Sequence, residues 1–278
     1  YGDHRDLHRL IRRQRQMCIR DRYYDDKIII TDRRNMKFVF FRNDGTYINE
    51  KKFEITTLDK AILLKNGNYL VGETTVNPSS GKFLNILSLY DSNLKKLKEV
   101  DKHEFENPLR SNRILGIYQN IIWNVSKNKI YTGHRDQIYE IRIFNLTGDP
   151  IRIIRKKYKK VPLSEEYKKK YMKQFASAMF EKIKSKFYFP RSAPAYHSFI
   201  TDERGRIFVM TYEPGSSPGN YVFDIFNDDG ILILRKELPD LSKNEGINAL
   251  IRYDRLYCVK ETSMGYQKFF CYKIKWKY

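Results

Sequence analysis

The sequence predicts an all-β protein, a β-propeller of four-stranded antiparallel blades with one helical insertion. An aromatic-centred strand that runs into a polar turn occurs five times, with its central ring at Phe41, Tyr90, Phe144, Phe226 and Tyr272. The intervals between these rings are 49, 54, 82 and 46 residues. Repeated units of about 40 to 50 residues with four strands each are typical of propeller blades. A tandem array of β-sandwiches is the alternative, but it would need a separate core about every 100 residues.

Each aromatic-centred strand follows a shorter strand, and the two are predicted to form a hairpin. The five shorter strands are predicted at Lys27–Asp32, Asn68–Glu73, Lys129–His134, Arg206–Tyr212 and Arg255–Glu261. A further strand follows most copies, as in Pro150–Arg155 and Ile231–Arg235, and another precedes most hairpins, as in Gly116–Trp123. The first copy is expected to lack this opening strand.

The long third interval is explained by a helical insertion at about residues 163–186. Pro162 ends a strand, Ser164 is placed to cap a helix, and Glu165 and Glu166 suit its positive N-terminal dipole. An apolar stripe at four-residue spacing follows, formed by Tyr167, Tyr171, Phe175, Met179 and Ile183. We expect this stripe to pack over a blade edge. The alternative is a helix that lies on an anionic surface, aided by Lys156, Lys157, Lys159, Lys160, Lys168 and Lys169.

Residues 1–22 differ in composition from residues 23–278, which form the predicted propeller. They contain seven Arg and no Lys. Their apolar stretches are too short for a secretory signal, which needs about 7 to 15 apolar residues in a row. The stretch Arg15–Arg22 resembles translated sequencing-adapter read-through, so residues 1–22 are predicted to be non-native or disordered. A disordered basic arm that contacts an acidic partner is the alternative.

The composition excludes some classes of protein. No apolar run exceeds four residues, whereas a membrane-spanning helix needs about 20. The formal charge is +20 and 14% of the residues are aromatic, which leaves nucleic-acid or anionic-surface binding as a minority alternative. Nucleic acid is the less favoured partner, because the lysines are scattered through every repeat and blade packing accounts for the aromatic residues.

Few residues suggest chemistry. His103, His134 and His197 show no metal-ligand spacing, so no metal site is expected. The phosphate-binding, dinucleotide-binding and nucleophile-elbow motifs are absent from the sequence, and no cofactor is expected. Cys258 and Cys271 lie on the paired strands of the last hairpin, where they form either a cross-strand disulfide or two buried thiols.

One regularity concerns the end of each shorter strand, where every copy carries a carboxylate. These residues are Asp32, Glu73, Asp136, Glu213 and Glu261. Because such strand ends share one face of a propeller, they predict a ligand site for a cation or amine, with His134, Arg135 and His197 as further polar candidates. The alternative is that these acids only form surface ion pairs with nearby Lys and Arg. The loop Glu213–Asn220 opens on the same face.

Two phrases carry a family resemblance. Residues Phe189–Gly215 contain a "D-x-x-G-x-hydrophobic-aromatic-V" strand turn, and Tyr221–Gly230 ends in Phe-Asn-Asp-Asp-Gly, which is close to an "F-D-x-x-G" strand end. They resemble the bacterial six-bladed β-propeller proteins with TolB-like or NHL-like blades, a resemblance that extends over residues 23–278. It implies six blades, of which about five are present here, with the N-terminal part missing.

The resemblance also implies a function. It favours a non-enzymatic binding or scaffold protein of the bacterial cell envelope, extracytoplasmic and membrane-anchored only through the missing N-terminus. Its partner would be an unknown protein or small-molecule ligand. The alternative is a propeller enzyme, a hydrolase or lyase acting on glycans or small esters, with its site on the acidic face.

Overall fold

The computed structural model describes residues 22–24, 27–107, 113–117, 119–173, 184–217, 220–239, 241–243, 246–247, 249–261 and 266–276. These residues form an all-β protein with five antiparallel blade sheets in a propeller arrangement and one short helix. The chain divides into two compact units. Unit 1 contains residues 1–75 and 84–102, and unit 2 contains residues 76–83 and 103–278.

Strands follow one another in sequence order within every blade sheet. The first sheet contains β1 (Arg22–Tyr24), β2 (Lys27–Asp32), β3 (Lys37–Arg42) and β4 (Tyr47–Lys52). The second contains β5 (Leu58–Leu63), β6 (Tyr69–Val76), β7 (Phe83–Tyr90) and β8 (Lys96–Phe105). A short strand β9 (Ile114–Leu115) precedes the third sheet, which contains β10 (Ile121–Ser126), β11 (Lys129–His134), β12 (Glu140–Asn145) and β13 (Pro150–Arg155).

The remaining strands belong to the insertion and the last two blades. The strand β14 (Phe187–Tyr188) pairs in parallel with β9. The fourth sheet contains β15 (Ser198–Thr201), β16 (Ile207–Pro214), β17 (Asn220–Phe226) and β18 (Leu232–Pro239). A two-stranded pair, β19 (Ser242–Lys243) and β20 (Gly246–Ile247), leads to the fifth sheet, whose three described strands are β21 (Ala249–Arg252), β22 (Arg255–Glu261) and β23 (Gln267–Lys273).

The predicted propeller is confirmed, and so are the predicted hairpins. The shorter strands β2, β11 and β22 have the predicted boundaries. The expectation that the first copy lacks its opening strand is wrong, because β1 pairs with β2 through Tyr23 and Ile28. Residues 1–21 lie outside the described residues, so their predicted non-native or disordered character stays a prediction, as does the predicted sixth blade.

One turn design explains the polar phrase at the end of the aromatic-centred strands of the third and fourth blades. After β12, Asn145 Oδ1 accepts hydrogen bonds from the backbone N–H groups of Thr147 at 2.9 Å and Asp149 at 2.8 Å. Gly148 adopts a φ of 77°, which suits glycine. Asn227 and Gly230 repeat the same turn after β17. The turn adds one residue and shifts the strand register beside it, as a bulged hairpin does.

In unit 2, the fourth blade sheet buries both of its faces. On one face, Ile207, Val209 and Phe226 pack with third-blade residues such as Tyr131 and Ile141. On the other face, a second cluster packs against the fifth blade and contains Phe208, Met210, Phe223, Ile225, Ile251 and Leu256. This alternation follows from the two-residue period of a strand and from the burial of a blade between two neighbours.

In unit 1, the core contains aromatic and aliphatic residues of the first two blade sheets. Phe38 of β3 stacks on Tyr69 of β6, with ring centroids 5.0 Å apart, and it also contacts Phe53. Leu58 and Val71 are buried in the same cluster. The apolar positions that alternate along these strands therefore form a core between the two sheets.

The predicted insertion contains a described helix, α1 (Glu165–Lys173). Ser164 caps it, since its Oγ accepts a hydrogen bond from the Tyr167 N–H at 3.1 Å. The Tyr167 ring lies 5.9 Å from that of Tyr212, and the Tyr171 ring lies 5.8 Å from that of Phe189. The expectation that the aromatic stripe packs inward is confirmed for these two residues, whereas Phe175, Met179 and Ile183 lie outside the described residues. Within the described part of the chain, no helix is long and apolar enough to span a membrane.

Candidate functional site

A cleft in unit 2 brings together aromatic rings and charged side chains. The space in it, counted together with the open solvent at its mouth, is about 230 Å³. We call it the Tyr139–Asp224 cleft, and its lining consists of Tyr139, Lys156, Tyr158, Lys159, Val161, Pro194, Ala195, Thr211, Tyr212, Glu213 and Asp224. Ligand sites in proteins are commonly concave, with aromatic walls and a few fixed polar groups. This cleft therefore has the composition of a small ligand site.

The centre of the cleft is a buried carboxylate that accepts three hydrogen bonds. The side chain of Asp224 is 0% exposed. Its Oδ2 accepts from the Tyr139 hydroxyl at 2.9 Å and from Lys156 Nζ at 2.8 Å. Its Oδ1 accepts from Arg235 Nε at 2.7 Å. A buried carboxylate needs such partners, because an uncompensated charge away from water is very costly.

Strand geometry and loop ends position these groups. Asp224 and Arg235 are directly opposite partners on β17 and β18, so their side chains lie on the same face of the sheet. Tyr139 immediately precedes β12, and Lys156 immediately follows β13, so both come from the third blade. Lys156 Nζ also lies 5.3 Å from the centre of the Tyr139 ring, a cation–π contact. The hydrogen bonds to Asp224 thus join the third and fourth blades at the floor of the cleft.

A second carboxylate at the cleft, Glu213, is also paired. Arg235 Nη2 donates to Glu213 Oε1 at 2.8 Å while its Nε holds Asp224. Burial acts to lower the pKa of Arg235, but its hydrogen bonds to Asp224 and Glu213 outweigh burial and leave that pKa above its usual value. One guanidinium therefore neutralises both carboxylates in part, and Lys156 adds a second positive charge at Asp224.

Two tyrosines of the cleft, the buried Tyr139 and the partly buried Tyr212, keep their protons. Burial, followed by the charge of Asp224, raises the pKa of Tyr139 well above its usual value. Burial also raises the pKa of Tyr212 well above its usual value, with Tyr167 as the next cause. Both hydroxyls are therefore protonated near neutral pH and act as hydrogen-bond donors.

Glu213 is the predicted ligand-site residue that lies in this cleft, and Lys156 and Lys159 of the predicted anionic-surface set line it with Glu213. Lys157, Lys159 and Lys160 are exposed on the same segment. On α1, Lys168 pairs with Glu165 at 2.6 Å, and Lys169 lies on the same helix. On sequence grounds Glu213 and these lysines belong to two separate hypotheses, whereas the structure places Glu213, Lys156 and Lys159 around one cleft.

The other candidates of unit 2 serve as local supports. Arg135 is buried, and its Nε donates to the backbone oxygen of His197 at 2.8 Å. Asp136 accepts a hydrogen bond from the Ile138 N–H at 2.7 Å, which fixes the turn before β12. The His134 ring packs against that of His103, with centroids 4.6 Å apart. Through these contacts Arg135 and Asp136 hold the backbone beside the cleft in place.

Glu73 belongs to unit 1 and is described there alone. Its Oε1 accepts from the Tyr90 hydroxyl at 2.8 Å, and Thr57 donates to its other oxygen at 3.4 Å. The side chain of Glu261, at the end of β22, lies outside what the structure describes. The predicted ring of strand-end acids therefore stays a prediction.

Tyr139 and Asp224 were missed by sequence reasoning, although a signal for Asp224 was present. When the copies are aligned on their central rings, the position two residues earlier holds Val39, Ser88, Arg142, Asp224 and Phe270. A carboxylate in an apolar central strand needs a buried cationic or hydroxyl partner. Such an irregularity predicts a polar site, but it does not identify the partners.

Cys258 and Cys271 form no disulfide with each other, so the alternative of a cross-strand disulfide is wrong. In the pairing of β22 with β23, Cys258 lies opposite Phe270 while Cys271 lies opposite Tyr257. The two cysteines are offset by one residue and project to opposite faces of the sheet. Cys258 is buried and Cys271 is exposed, so the expectation of two buried thiols holds only for Cys258. Among the described residues, no group of three or more His, Cys, Asp or Glu is arranged to hold a metal.

No protein-family model and no curated protein sequence matches the chain. Three solved structures are similar to it at low identity. A candidate exported protein from Bacteroides fragilis has a TM-score of 0.49 and 12% identity, and the match covers 87% of this chain and 65% of that protein. A member of the DUF4221 family from Bacteroides vulgatus has a TM-score of 0.46 and 10% identity, with 89% of this chain and 76% of that one covered. An acylaminoacyl peptidase from Pyrococcus horikoshii has a TM-score of 0.42 and 11% identity over 78% of this chain and 31% of the peptidase. The chain thus spans less than two thirds of the first of these structures.

Proposed function

We propose that this protein is a non-enzymatic binding propeller and that its ligand occupies the Tyr139–Asp224 cleft. The observation that carries this proposal is the buried Asp224, whose carboxylate is held by Tyr139, Lys156 and Arg235 inside a tyrosine-lined cavity. A network of this kind fixes the cleft walls before any ligand arrives. Such preorganisation lowers the entropic cost of binding.

Binding is favoured over catalysis because the polar groups at the floor are already engaged. A general base needs a pKa near the working pH and access to a substrate proton. Asp224 is fully buried and accepts three hydrogen bonds, and burial keeps Tyr139 protonated. Histidine, the most common general base, is not among the described residues that line the cleft. The groups therefore suit the orientation of a ligand better than proton transfer.

The wider setting of this function follows from the sequence resemblance. We propose a six-bladed, extracytoplasmic protein of the bacterial cell envelope with TolB-like or NHL-like blades. Its partner is a small molecule or a group on a larger molecule that enters the cleft.

A cleft-filling variant tests the location of the site. Val161 lines the cleft and is half-buried, so Val161→Trp places an indole in the space that a ligand would use. Ile138→Trp is the control, because Ile138 is 59% exposed and is not part of the lining. Ligand-observed NMR with a mixture of glucose, glucuronate, glucosamine, glutamate and succinate should show binding to the parent protein. We expect Val161→Trp to abolish binding and Ile138→Trp to preserve it, and equal binding by both variants would place the site elsewhere.

A further inference from the structure

The outermost strand of the third blade has an exposed apolar face. Ile151 and Ile153 of β13 are 49% and 50% exposed, whereas Ile154 is buried in the core cluster shared with the fourth blade. The alternation of a strand places Ile151, Ile153 and Arg155 on one face. Arg142 lies opposite Ile153 on β12, so it belongs to the same face. The exposed face of this edge therefore combines two isoleucines with two arginines.

A run of cations continues directly from this strand. Residues 155–160 read Arg-Lys-Lys-Tyr-Lys-Lys, which is five cations in six residues. Lys157, Lys159 and Lys160 are exposed, and none of them forms an ion pair with another residue of the described part of the chain. We call Ile151–Lys160 the rim segment. It joins half-exposed apolar side chains to a polybasic run.

The acids around the rim segment do not cancel its charge. The cations of the segment and of the β12 face beside it are Arg142, Arg152, Arg155, Lys156, Lys157, Lys159 and Lys160. The acids that contact or adjoin them are Asp136, Glu140, Asp149, Asp224 and Asp229. Seven cations against five acids leave two positive charges in excess, and Glu213 is balanced by Arg235. Asp224 is 0% exposed, so its charge faces Lys156 and not the surface.

The helix α1 does not offer a competing apolar surface in its described part. The Tyr167 ring packs against that of Tyr212, and Tyr171 is buried. The apolar side chains that accompany the exposed lysines are therefore those of β13. This differs from the sequence alternative of a helix on an anionic surface, which assigned the apolar contact to the helical stripe.

We propose that the rim segment lies on an anionic lipid surface, with Ile151 and Ile153 in the interfacial region and Lys157, Lys159 and Lys160 against the lipid phosphate groups. Attachment of this kind adds the burial of apolar area to the attraction between cations and anionic lipids. The inference goes beyond the proposed function, because it needs no ligand in the cleft.

The chemistry of the rim segment favours a lipid surface over other partners. Single-stranded nucleic acid is held largely by stacking of bases on aromatic rings, whereas the exposed side chains beside these lysines are aliphatic. Tyr158 is the one aromatic residue of the segment, and its hydroxyl donates to the backbone oxygen of Gln137 at 2.9 Å while its ring packs against the core. A second copy of the chain would place the same cations against each other, which is unfavourable.

Vesicle co-sedimentation tests the proposal. The protein should bind vesicles of phosphatidylcholine mixed equally with phosphatidylglycerol, and it should leave pure phosphatidylcholine vesicles unbound. Raising the salt concentration from about 0.1 M to about 1 M shortens the Debye length from about 10 Å to about 3 Å and should release most of the protein. Equal binding to both kinds of vesicle would overturn the proposal, and so would the absence of binding.

Two competitors separate the lipid surface from other anions. Inorganic phosphate at millimolar concentration should not displace the protein from the mixed vesicles, because a free anion offers no apolar layer to the isoleucines. Displacement by phosphate would mean that the lysines bind a small anion. Tighter binding of single-stranded oligothymidine than of the mixed vesicles would mean that the partner is nucleic acid. Either result would overturn the proposal.

A matched pair of lysine variants locates the contact. The triple change Lys157→Gln, Lys159→Gln and Lys160→Gln removes three charges from the rim segment. The control changes Lys65, Lys95 and Lys96 to Gln, which are exposed lysines of unit 1. A cation near an anionic surface contributes about fivefold to binding, equivalent to about 1 kcal/mol, so the rim variant should bind roughly a hundredfold more weakly. Equal weakening by both variants would mean that the net charge of the chain, and not the rim segment, attracts the vesicles.

A second pair tests the apolar contribution. Ile151→Thr with Ile153→Thr should weaken binding to the mixed vesicles by about tenfold. The control, Leu97→Thr with Leu250→Thr, changes residues that are 53% and 50% exposed elsewhere and should leave binding unchanged. Binding unaffected by the isoleucine changes would contradict the apolar contact. Thermal melts verify that the variants fold, and the lysine variant decides the location of the contact even where the isoleucine variant is destabilised, because its three side chains are exposed.

Discussion

Replacing Asp224 with Asn removes one buried negative charge while nearly preserving the shape of the side chain. Three donors lose a charged acceptor, namely Tyr139 at 2.9 Å, Lys156 at 2.8 Å and Arg235 at 2.7 Å. The remaining amide oxygen can still accept from Tyr139. We therefore expect a loss of stability that depends mainly on how well Lys156 and Arg235 reach water.

The exposure of Lys156 and Arg235 determines how much stability Asp224→Asn loses. The side chain of Arg235 is 42% exposed and keeps Glu213 as a partner, so the loss of its ion pair with Asp224 destabilises the protein little. The side chain of Lys156 is only 18% exposed, and it would be left beside the Tyr139 ring without its acid. Breaking a fully buried pair costs about 3–5 kcal/mol, and partial exposure of the cations lowers the expected cost to about 3 kcal/mol.

Asp228→Asn is a matched control. Asp228 also accepts from two cations, Lys127 at 2.6 Å and Lys129 at 2.7 Å, but its side chain is 26% exposed. Exposed pairs contribute about 0.2–1 kcal/mol each, so this variant should lose about 1 kcal/mol.

Urea unfolding followed by circular dichroism measures both losses, and a thermal melt provides a second measure. For a chain of this length the melting temperature falls by about 2–4 °C per kcal/mol, which predicts a shift of about 6–12 °C for Asp224→Asn. The double variant Asp224→Asn with Lys156→Met should lose less stability than the sum of the two single variants. In Asp224→Asn the Lys156 ammonium group is left without its acid, whereas the double variant no longer contains that ammonium group. An Asp224→Asn loss no larger than that of Asp228→Asn would refute the view that burial makes this carboxylate critical.

Three further predictions concern the framework. Gly45→Ala should lower the free energy of unfolding in urea by about 1 kcal/mol, because Gly45 has a φ of 85° and open space around it. Gly230→Ala should lower it more, because an added Cβ would also lie 2.8 Å from Ile154 Cγ1. Equal costs would mean that the Ile154 side chain moves aside freely. Hydrogen bonds from Arg206 and Trp276 lower the pKa of Asp254 from its usual 3.8, so this group stabilises the fold above about pH 4 and loses that contribution as the pH falls through the lowered value. Asp254→Asn should therefore be less stable than the parent at neutral pH and converge with it in acid, and a gap that persists unchanged in acid would contradict this assignment. In a Cys18→Ser background, a thiol reagent should modify the exposed Cys271 in the native protein and reach the buried Cys258 only on unfolding; rapid reaction of both would contradict the strand register.

The blade hairpins were predictable because two local signals coincide in them. Alternating apolar residues define the strands, and an Asn or Asp with a glycine three residues later defines the turn, as in Asn145–Gly148 and Asn227–Gly230. The opening strand of the first blade was missed, since Arg22–Tyr24 is only three residues long and lies at a break in composition. Such a strand is held by its partner β2, and nothing in its own sequence distinguishes it from a loop.

The cleft was much less predictable than the hairpins. Its central contacts join residues that are far apart in sequence, such as Tyr139 and Asp224, and strand alternation specifies a face without specifying which neighbour covers it. Sequence reasoning identified Glu213 and Lys159 from charge alone, but it assigned them opposite roles. The cysteines show a related limit, because one residue of strand register decides whether Cys258 and Cys271 face each other or lie on opposite faces.

The division of the fourth blade sheet into two buried faces restricts where the chain can change length. A single-residue insertion in β17 would exchange the faces of every residue beyond it, because the side-chain period of a strand is two. Asp224 would then face the apolar cluster around Phe208 and Met210, and Phe223 would replace it beside Lys156. Single-residue insertions are therefore expected outside this strand, in segments such as the one that holds α1, whereas β16 accommodates its irregularity between Met210 and Pro214 as an even number of residues. The chain follows this rule, since its additional residues lie between β13 and β15, where they leave the alternation of both blades intact.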